Sequence, residues 1–237
     1  MNWPKISAIA RKELHHFFVS PIGYAVLTVF WLIMGTFFFG VVIQGRMPNL
    51  GYIFQNLFII LLFLTPLITM RLWSEEEKTG TAELLNTSPL TAWDIVLGKF
   101  LGVTAFFLVM MSVTLVYALV LLAFGNPDVG PWFANFLGCL LLGMAFFSLG
   151  LFTSTLSENQ IVSAAVAFGL FLMLWILEMV AESAGGAFGG FLKSLSMYGH
   201  SSDFMLGIID LTHVAYFVSL IFVGLFLSVK VLEGKRS

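Results

Sequence analysis

The sequence predicts an all-α membrane protein with six transmembrane helices, and three observations support that prediction. The 237-residue chain is 59% hydrophobic and only 10% charged, which is more apolar surface than a soluble domain of this size can bury. Its apolar residues gather into six continuous runs of about 20 residues, the length that a helix needs to cross a bilayer. The runs lack the strict alternation of barrel strands, so helices are predicted and a β-barrel is excluded.

The six runs and the charges between them also predict how the chain crosses the membrane. The spans are Ile22–Ile43, Tyr52–Met70, Phe100–Phe124, Trp132–Phe152, Ile161–Val180 and His213–Val231. Nine of the 11 Lys and Arg residues lie on the same side as both termini, and only Arg46 and Lys193 lie opposite. The positive-inside rule then places both termini in the cytoplasm. We therefore expect residues 1–237 to form one multi-pass domain of the cytoplasmic (inner) membrane.

Residues 1–20 precede the first span and are predicted to form an amphipathic elbow helix at the membrane surface. The apolar side chains on one side of its helical wheel are Trp3, Ile6, Ala10, Leu14 and Phe17. Basic residues occupy the other side and Glu13 lies at the edge, a pattern typical of a helix that lies flat in the interface. Ser20 and Pro21 are predicted to end this helix and to turn the chain into the membrane.

Residues 71–99, between the second and third spans, are predicted to form a cytoplasmic segment of short helices. Trp73 is predicted to mark the membrane surface, because tryptophan is enriched there. The good helix formers of "SEEEK" are predicted to extend the second span into water. We expect that helix to stop at Thr79 and Gly80, because glycine readily takes the left-handed conformation that follows a helix.

A second short helix, "AELLN", is predicted after this stop, with Thr81 as its cap and with Leu84 and Leu85 on one side. So short a helix cannot bury two leucines by itself. One interpretation is an amphipathic helix that docks into a groove of a cytoplasmic partner. The other is a hairpin that folds back onto the membrane surface or onto the first helix. Thr91 and Asp94 then have the spacing of a capping box, which predicts a helix that continues into the third span.

The segment between the fifth and sixth spans, residues 181–212, is predicted to lie outside. It is rich in Gly and Ser but includes two apolar pieces, Phe188–Leu195 and Phe204–Ile209, that are too short to span. These pieces predict a pair of short helices that either dip back into the outer leaflet or cap an external opening. A solvated loop is the alternative.

Several polar side chains in or beside the spans are candidates for a polar pathway. They are Gln55, Asn56, Thr65, Gln160 and Glu178. An acid near a span is a functional candidate by default. Hydration at the interface is the alternative for Glu178, and helix–helix hydrogen bonds are the alternative for the amides. Pro66 follows Thr65 and predicts a kink in the second span.

Two further sets of residues bear on packing and on metal binding. Small residues in the fourth span, which predict close helix packing, are Gly138, Gly143, Ala145, Ser148 and Gly150. The histidines are scattered along the sequence at His15, His16, His200 and His213, so no metal site is predicted.

Three stretches of the chain resemble a known family. They are "RLWSEEEKTGTAELLNTSPLTAWDIVLGKFLG", "SENQIVSA" and "HSSDFMLGIIDLTHVAYF". Together they resemble the permease subunits of type-two ABC exporters, most closely the branch that contains the gliding-motility permease GldF and more distantly NosY. The resemblance covers nearly the whole chain. It implies a six-helix permease domain with an elbow helix and with a coupling helix that sits in a cleft of a separate ATP-binding subunit.

The resemblance also implies which residues contact that ATP-binding subunit. The residues that it assigns to ATPase coupling after the second span are Glu76, Glu77, Thr79, Gly80, Thr81, Glu83, Leu84, Leu85, Thr87, Ser88 and Pro89. A second cytoplasmic contact is implied at the turn formed by Ser157, Glu158 and Asn159.

The chain lacks the motif with which an ATPase holds phosphate. A P-loop requires G-x-x-x-x-G-K-[ST]. Here Gly98-Lys99 is followed by Phe100 and Gly234-Lys235 by Arg236, so neither pair completes the motif. We therefore expect this chain to be no enzyme and to hold no cofactor or metal, with ATP and Mg²⁺ bound by the partner subunit.

The function predicted from these observations is that of a permease subunit in an ATP-driven exporter. It would pair with a second copy or a homologous permease, and closure of two ATP-binding subunits would push the coupling segment and tilt the second and fifth spans. Nucleic acid is not expected as a partner. One alternative is a stand-alone secondary transporter or channel, but the inverted repeat and broken helices typical of such proteins are not evident. Another is a scaffold that relays ATPase work to a membrane-anchored periplasmic partner.

Overall fold

The computed structural model describes residues 2–43, 51–124 and 129–236, and these residues are almost entirely helical. The helices in these ranges are α1 (Trp3–Val19), α2 (Pro21–Ile43), α3 (Gly51–Thr69), α4 (Ser74–Lys78), α5 (Thr81–Thr87), α6 (Ala92–Phe124), α7 (Val129–Thr155), α8 (Gln160–Ala184), α9 (Gly186–Leu195), α10 (Met197–Met205) and α11 (Leu211–Arg236). Within the described residues, six stretches are long and apolar enough to cross a membrane; they lie on α2, on α3 together with α4, and on α6, α7, α8 and α11. The predicted fold class and the six spans are confirmed.

The ends of two spans illustrate how local chemistry sets the boundaries. The Asp94 N–H donates to Thr91 Oγ1 at 3.1 Å and the Thr91 N–H donates to Asp94 Oδ2 at 3.2 Å, so the predicted capping box forms at the start of α6. The fourth span begins at Val129 rather than at Trp132. Residues 44–50 and 125–128, between neighbouring spans, lie outside the described residues.

Helix α7 lies at the centre of the bundle and packs against α3, α6, α8, α10 and α11. Its small residues make this possible, because neighbouring side chains occupy the space that a Cβ would need. Phe204 lies against Gly138, Phe107 against Gly143 and Thr69 against Gly150. The close packing predicted for this span is therefore confirmed.

Helix α1 packs along α6. The Phe17 ring stacks on the Phe106 ring with 4.5 Å between centroids. Ser20 is extended and α2 begins at Pro21, so the chain breaks where predicted. The predicted apolar side is wrong at two positions, because Trp3 is exposed whereas Glu13 is buried. Glu13 faces inward because it meets a buried lysine of α6, a partner that a helical wheel cannot show.

Two short helices, α9 and α10, occupy the segment where such a pair was predicted. Helix α9 packs along α8, and α10 packs on both α7 and α8. Met197, Ser201 and Phe204 of α10 are fully buried, so the alternative of a solvated loop is wrong. The apolar piece that ends at Ile209 leaves the helix after Met205. We call this end of the bundle the hairpin end.

The first residues of α1 and the last residues of α11 lie at the other end of the bundle, beside α4 and α5. Lys5 Nζ donates to the Pro89 carbonyl oxygen at 2.5 Å, and Lys235 Nζ donates to Glu77 Oε1 at 2.6 Å. We call this the terminal end. The turn between α7 and α8 also lies at the terminal end. Each of these two helices runs the length of the bundle, from this turn to the hairpin end.

Candidate coupling interface

The predicted coupling segment forms a hairpin of α4 and α5 at the terminal end, and we call residues 74–89 the coupling hairpin. The second candidate span does run on through "SEEEK" to Lys78, but the prediction that it does so as one unbroken helix is wrong. Helix α3 ends at Thr69, residues 70–73 form a turn, and α4 begins separately at Ser74. Trp73, predicted to mark the membrane surface, is instead buried within the protein.

The break before α4 has an identifiable cause in α7. The hydroxyl oxygen of Ser154 accepts hydrogen bonds from the backbone N–H groups of Trp73, at 3.0 Å, and Ser74, at 3.1 Å. The Ser74 hydroxyl donates to the Ser154 carbonyl oxygen at 3.0 Å. These groups are buried, where unpaired backbone N–H groups are costly. Ser154 therefore holds the start of α4 against the end of α7.

The turn between α4 and α5 forms at the predicted position. Thr79 ends α4, and Gly80 has φ 75°, a left-handed conformation that favours glycine. The prediction that Thr81 caps α5 is wrong, because Gly80 occupies the N-cap. The Thr81 hydroxyl instead donates to the Glu76 carbonyl oxygen at 3.3 Å. That bond ties the start of α5 back to α4.

The two leucines of α5 lie in different environments. Leu84 is 71% exposed, whereas Leu85 packs against the hydrophobic core together with buried Ala82. The prediction that both leucines lie on one side is wrong, because successive helical residues are about 100° apart. Ala82 and Leu85, three positions apart, share the inner face. Leu84 alone of the two is presented to solvent or to a partner.

Glu76 of α4 joins a buried ion-pair network rather than the outer surface. Lys99 of α6 is 1% exposed, and its Nζ lies 2.7 Å from Glu76 Oε2 and 2.8 Å from Glu13 Oε1 of α1. Lys12 Nζ, which is exposed, lies 2.9 Å from Glu76 Oε1. One buried cation thus connects three helices, α1, α4 and α6. The network holds α4 in place through charge-assisted hydrogen bonds.

The last residues of α11 hold the hairpin from another direction. Lys235 Nζ donates to Glu77 Oε1 at 2.6 Å and to Oε2 at 2.9 Å. The Arg236 guanidinium donates to the carbonyl oxygens of Leu90, at 2.9 Å, and Leu85, at 3.1 Å. The coupling hairpin is therefore fixed to α1, α6, α7 and α11 on its inner side.

The residues assigned to ATPase coupling accordingly divide into two groups. Glu76 and Glu77 point inward, to Lys99 and Lys235. Ser88 is partly buried, and its hydroxyl donates to the Leu85 carbonyl oxygen at 2.7 Å. The assigned residues that form the exposed face of the hairpin are Thr79, Gly80, Thr81, Glu83, Leu84, Thr87 and Pro89.

The turn between α7 and α8 supplies the second predicted contact. Asn159 caps α8, because its Oδ1 accepts from the Ile161 N–H at 2.9 Å. The Ser157 hydroxyl oxygen accepts from the Asn159 N–H at 3.1 Å. Glu158 and Asn159 are exposed, and α8 contacts α4. The structure thus brings this turn and the coupling hairpin together at one end of the bundle.

The five candidate pathway residues do not converge. Gln55 is exposed near the start of α3, and Thr65 is fully buried farther along the same helix. Gln160 and Glu178 lie near opposite ends of α8, about 27 Å apart along its axis at 1.5 Å per residue. Glu178 Oε1 lies 3.3 Å from Lys193 Nζ, so this acid ties α8 to α9. Asn56 is partly buried beside Gln55. The polar pathway therefore stays a prediction.

Sequence reasoning missed the residues that fix the hairpin from behind. They are Glu13, Lys99, Ser154, Lys235 and Arg236. One available signal was the position of Lys99 at the edge of a predicted span, because a charge there needs a partner. The partners of Lys99 could not be identified from the sequence, because Glu13 is 86 positions away from it.

Two of the histidines that are separated in the sequence meet in the structure. Nδ1 of His200 and Nδ1 of His213 are 2.7 Å apart at the hairpin end. The chain folds back between α10 and α11, which brings the two rings together. His15 and His16 are both exposed on α1.

Comparison with known proteins agrees with this architecture. The family described as "ABC-2 family transporter protein" matches residues 7–221, from α1 into α11. A protein of Pseudomonas aeruginosa described as "Probable ABC transporter permease protein NosY" is 32% identical over 198 residues, which cover 75% of this chain and 70% of the relative. The family match includes both the coupling hairpin and the turn between α7 and α8.

Proposed function

The chain belongs to the ABC-2 family of transporter proteins and is a membrane permease subunit of an ABC transporter, and on this premise we propose that its coupling hairpin docks the ATP-binding subunit. Membership of the family implies such a partner subunit. What we add is the surface of this chain that binds the ATP-binding subunit, and the route by which movement of that subunit reaches the membrane helices.

The observation that carries the proposal is the contrast between the two sides of the coupling hairpin. Its outer face presents Leu84, 71% exposed, beside Glu83 and Thr87. Its inner face is held by Ser154 and by the Lys99 ion pairs. An exposed leucine on a rigidly held short helix suits insertion into an apolar groove, because the helix is ordered before binding.

The same contacts provide a route for force into the membrane. A push on α5 reaches α7 through Ser154, α1 and α6 through Lys99, and α11 through Lys235. It also reaches α8, which contacts α4. Rigid elements joined by such networks move together rather than bend. The coupling stroke therefore displaces the second and fifth spans, as the sequence predicts, and carries the neighbouring helices with them.

The proposal also covers location and assembly. The chain lies in the cytoplasmic membrane with both termini and the coupling hairpin on the cytoplasmic side, as the distribution of Lys and Arg predicts. It pairs with a second permease, either another copy or a homologue, above two ATP-binding subunits. The complex either exports a substrate or transmits work to a periplasmic partner. The predicted likeness to the GldF branch supports transmission of work.

This chain contributes no catalytic group and no bound cofactor to the reaction, since the sequence contains no P-loop. ATP and Mg²⁺ are held by the partner subunit. The test is ATP turnover by the purified chain with and without a coexpressed ATP-binding subunit. We expect turnover only from the complex. ATP turnover by the chain alone would contradict the proposal, provided that the turnover disappears when the chain is removed by affinity depletion.

A further inference from the structure

Four side chains cluster at the hairpin end, where α10 approaches the start of α11. His213 Nε2 lies 2.8 Å from Asp203 Oδ2, and the ligand atoms of Asp203, Asp210 and His213 all lie within 4.8 Å of one another. Nδ1 of His200 lies 2.7 Å from Nδ1 of His213. The proposed docking of an ATPase at the opposite end gives no role to this cluster.

The hydrogen of the His200 ring can be placed from its partners. His200 Nε2 lies 3.1 Å from the Ser194 carbonyl oxygen, which can only accept, so Nε2 carries the hydrogen. The other ring nitrogen of His200, Nδ1, faces His213. The Tyr216 ring, with 3.9 Å between centroids, holds His200 in this position.

The hydrogen of His213 follows from that of His200. One hydrogen fits between the two Nδ1 atoms at 2.7 Å, and with the His200 hydrogen on Nε2 it belongs to His213 Nδ1, which donates it to His200. The remaining nitrogen of His213, Nε2, faces the Asp203 carboxylate at 2.8 Å. Either a proton or a metal cation between these two atoms satisfies both of them.

Asp210 supplies a second carboxylate to the same place. The Thr212 N–H donates to Asp210 Oδ1 at 2.7 Å, which fixes this carboxylate beside the other two ligand residues. The cluster combines one imidazole lone pair with two carboxylates, and a second imidazole orients the first.

This donor set selects the kind of cation. Ca²⁺ and Mg²⁺ take oxygen ligands, whereas an imidazole nitrogen beside carboxylates suits Zn²⁺ and related divalent transition ions. A histidine that binds metal through one nitrogen commonly donates its other N–H to a fixed acceptor, which is the role of His200. Donors bound to Zn²⁺ at about 2.0–2.1 Å are about 3.3 Å apart in a tetrahedral site, so His213 and Asp203 need to separate only slightly.

We propose that Asp203, Asp210 and His213 form a binding site for a divalent transition ion of the Zn²⁺ class, with His200 as the residue that positions His213. Water completes the coordination. The ion joins the end of α10 to the start of α11 and so fastens the hairpin end of the bundle. The proposal stands apart from ATPase docking, which involves the opposite end.

The test is metal binding by the purified full-length chain in detergent. Zn²⁺ is titrated in competition with a chromophoric chelator, and Co²⁺ is used as a second probe because its visible spectrum reports nitrogen and oxygen ligands. We expect one Zn²⁺ per chain. Asp203→Asn and His213→Gln should each weaken binding more than about tenfold, and His200→Phe, which keeps the ring contact with Tyr216 but removes the acceptor, should weaken it about 10–100-fold.

Two variants control for misfolding and for unrelated sites. Asp210→Asn changes an exposed side chain and should weaken Zn²⁺ binding while gel filtration stays unchanged. His15→Gln, an exposed histidine at the terminal end, should bind Zn²⁺ as the wild type does. The proposal is overturned if the wild type shows no saturable Zn²⁺ binding, which would mean that a proton on His213 takes the place of the ion. Equal binding by Asp210→Asn and wild type would overturn it as well.

Discussion

Lys99 is a fully buried cation whose two carboxylate partners come from two other helices. Glu13 belongs to α1 and Glu76 to α4, and both lie within 2.8 Å of its Nζ. Removing the lysine leaves two carboxylates in a buried site without their shared cation. Breaking a buried ion pair in this way is far more costly than losing an exposed pair.

We therefore expect Lys99→Met to lower the free energy of unfolding by about 3–5 kcal/mol. Lys12→Met is the matched control, because Lys12 pairs with the same Glu76 but its side chain is 59% exposed. That change should cost at most about 1 kcal/mol. Unfolding in detergent, followed by tryptophan fluorescence, measures both. Equal stability of the two variants would show that the network contributes nothing through burial.

For single residues, the sequence predicted which residues matter better than it predicted their burial and their partners. It singled out Leu84, which is exposed, but paired it with Leu85, which packs on the core. It noted Lys99 only as part of an incomplete phosphate motif. Burial and ion pairing depend on which distant segment lies opposite, and Glu13 lies 86 positions from Lys99. A single sequence does not show which distant residues lie next to each other in the folded protein.

Among the elements, the break between α3 and α4 depends most on a distant residue. Ser154 accepts from two backbone N–H groups, those of Trp73 and Ser74, and it is 81 positions from Trp73. Leaving a buried N–H group unpaired costs about 1–3 kcal/mol. Ser154→Ala removes one hydroxyl and changes no charge.

We expect Ser154→Ala to speed hydrogen exchange of the Trp73 and Ser74 amides while the rest of the bundle exchanges as before. Ser183→Ala is the control, because its hydroxyl donates to the Met179 carbonyl oxygen within its own helix. It should leave exchange at residues 70–78 unchanged. Exchange measured by mass spectrometry on short peptides resolves the two cases. Unaltered exchange at Trp73 in Ser154→Ala would mean that another contact holds α4.

The spans were predictable as elements because length and apolar composition are local properties. The capping box of Thr91 and Asp94 was also predictable, since both partners lie within one turn. The prediction that the second span runs on through "SEEEK" as one unbroken helix is wrong. Its helix formers favour an unbroken helix, and the hydrogen bonds to Ser154 outweigh that preference.

In the whole molecule, the proposed docking of an ATP-binding subunit places the terminal end on the cytoplasmic side of the membrane. In a Cys139→Ser background, Ser183→Cys at the hairpin end should react with an impermeant thiol reagent added to intact cells. Thr87→Cys on the coupling hairpin should react only after the membrane is permeabilised. Both positions are exposed, so accessibility within the protein does not distinguish them. Labelling of the Thr87 variant in intact cells would reverse the orientation.

We propose that the exposed face of α5 docks the ATP-binding subunit, and the variant Leu84→Asp tests this docking. Leu206→Asp is the matched control, because Leu206 is 70% exposed, close to the 71% of Leu84, but lies at the hairpin end. A charge buried without a partner costs several kcal/mol. Copurification of a coexpressed ATP-binding subunit from detergent is the measurement.

We expect Leu84→Asp to insert normally into the membrane but to retain less than about a tenth of the wild-type amount of ATP-binding subunit, since about 1.4 kcal/mol already changes an association constant tenfold. Leu206→Asp should retain the wild-type amount. Wild-type stoichiometry of the ATP-binding subunit in Leu84→Asp would contradict the claim and favour a hairpin that lies on the membrane surface.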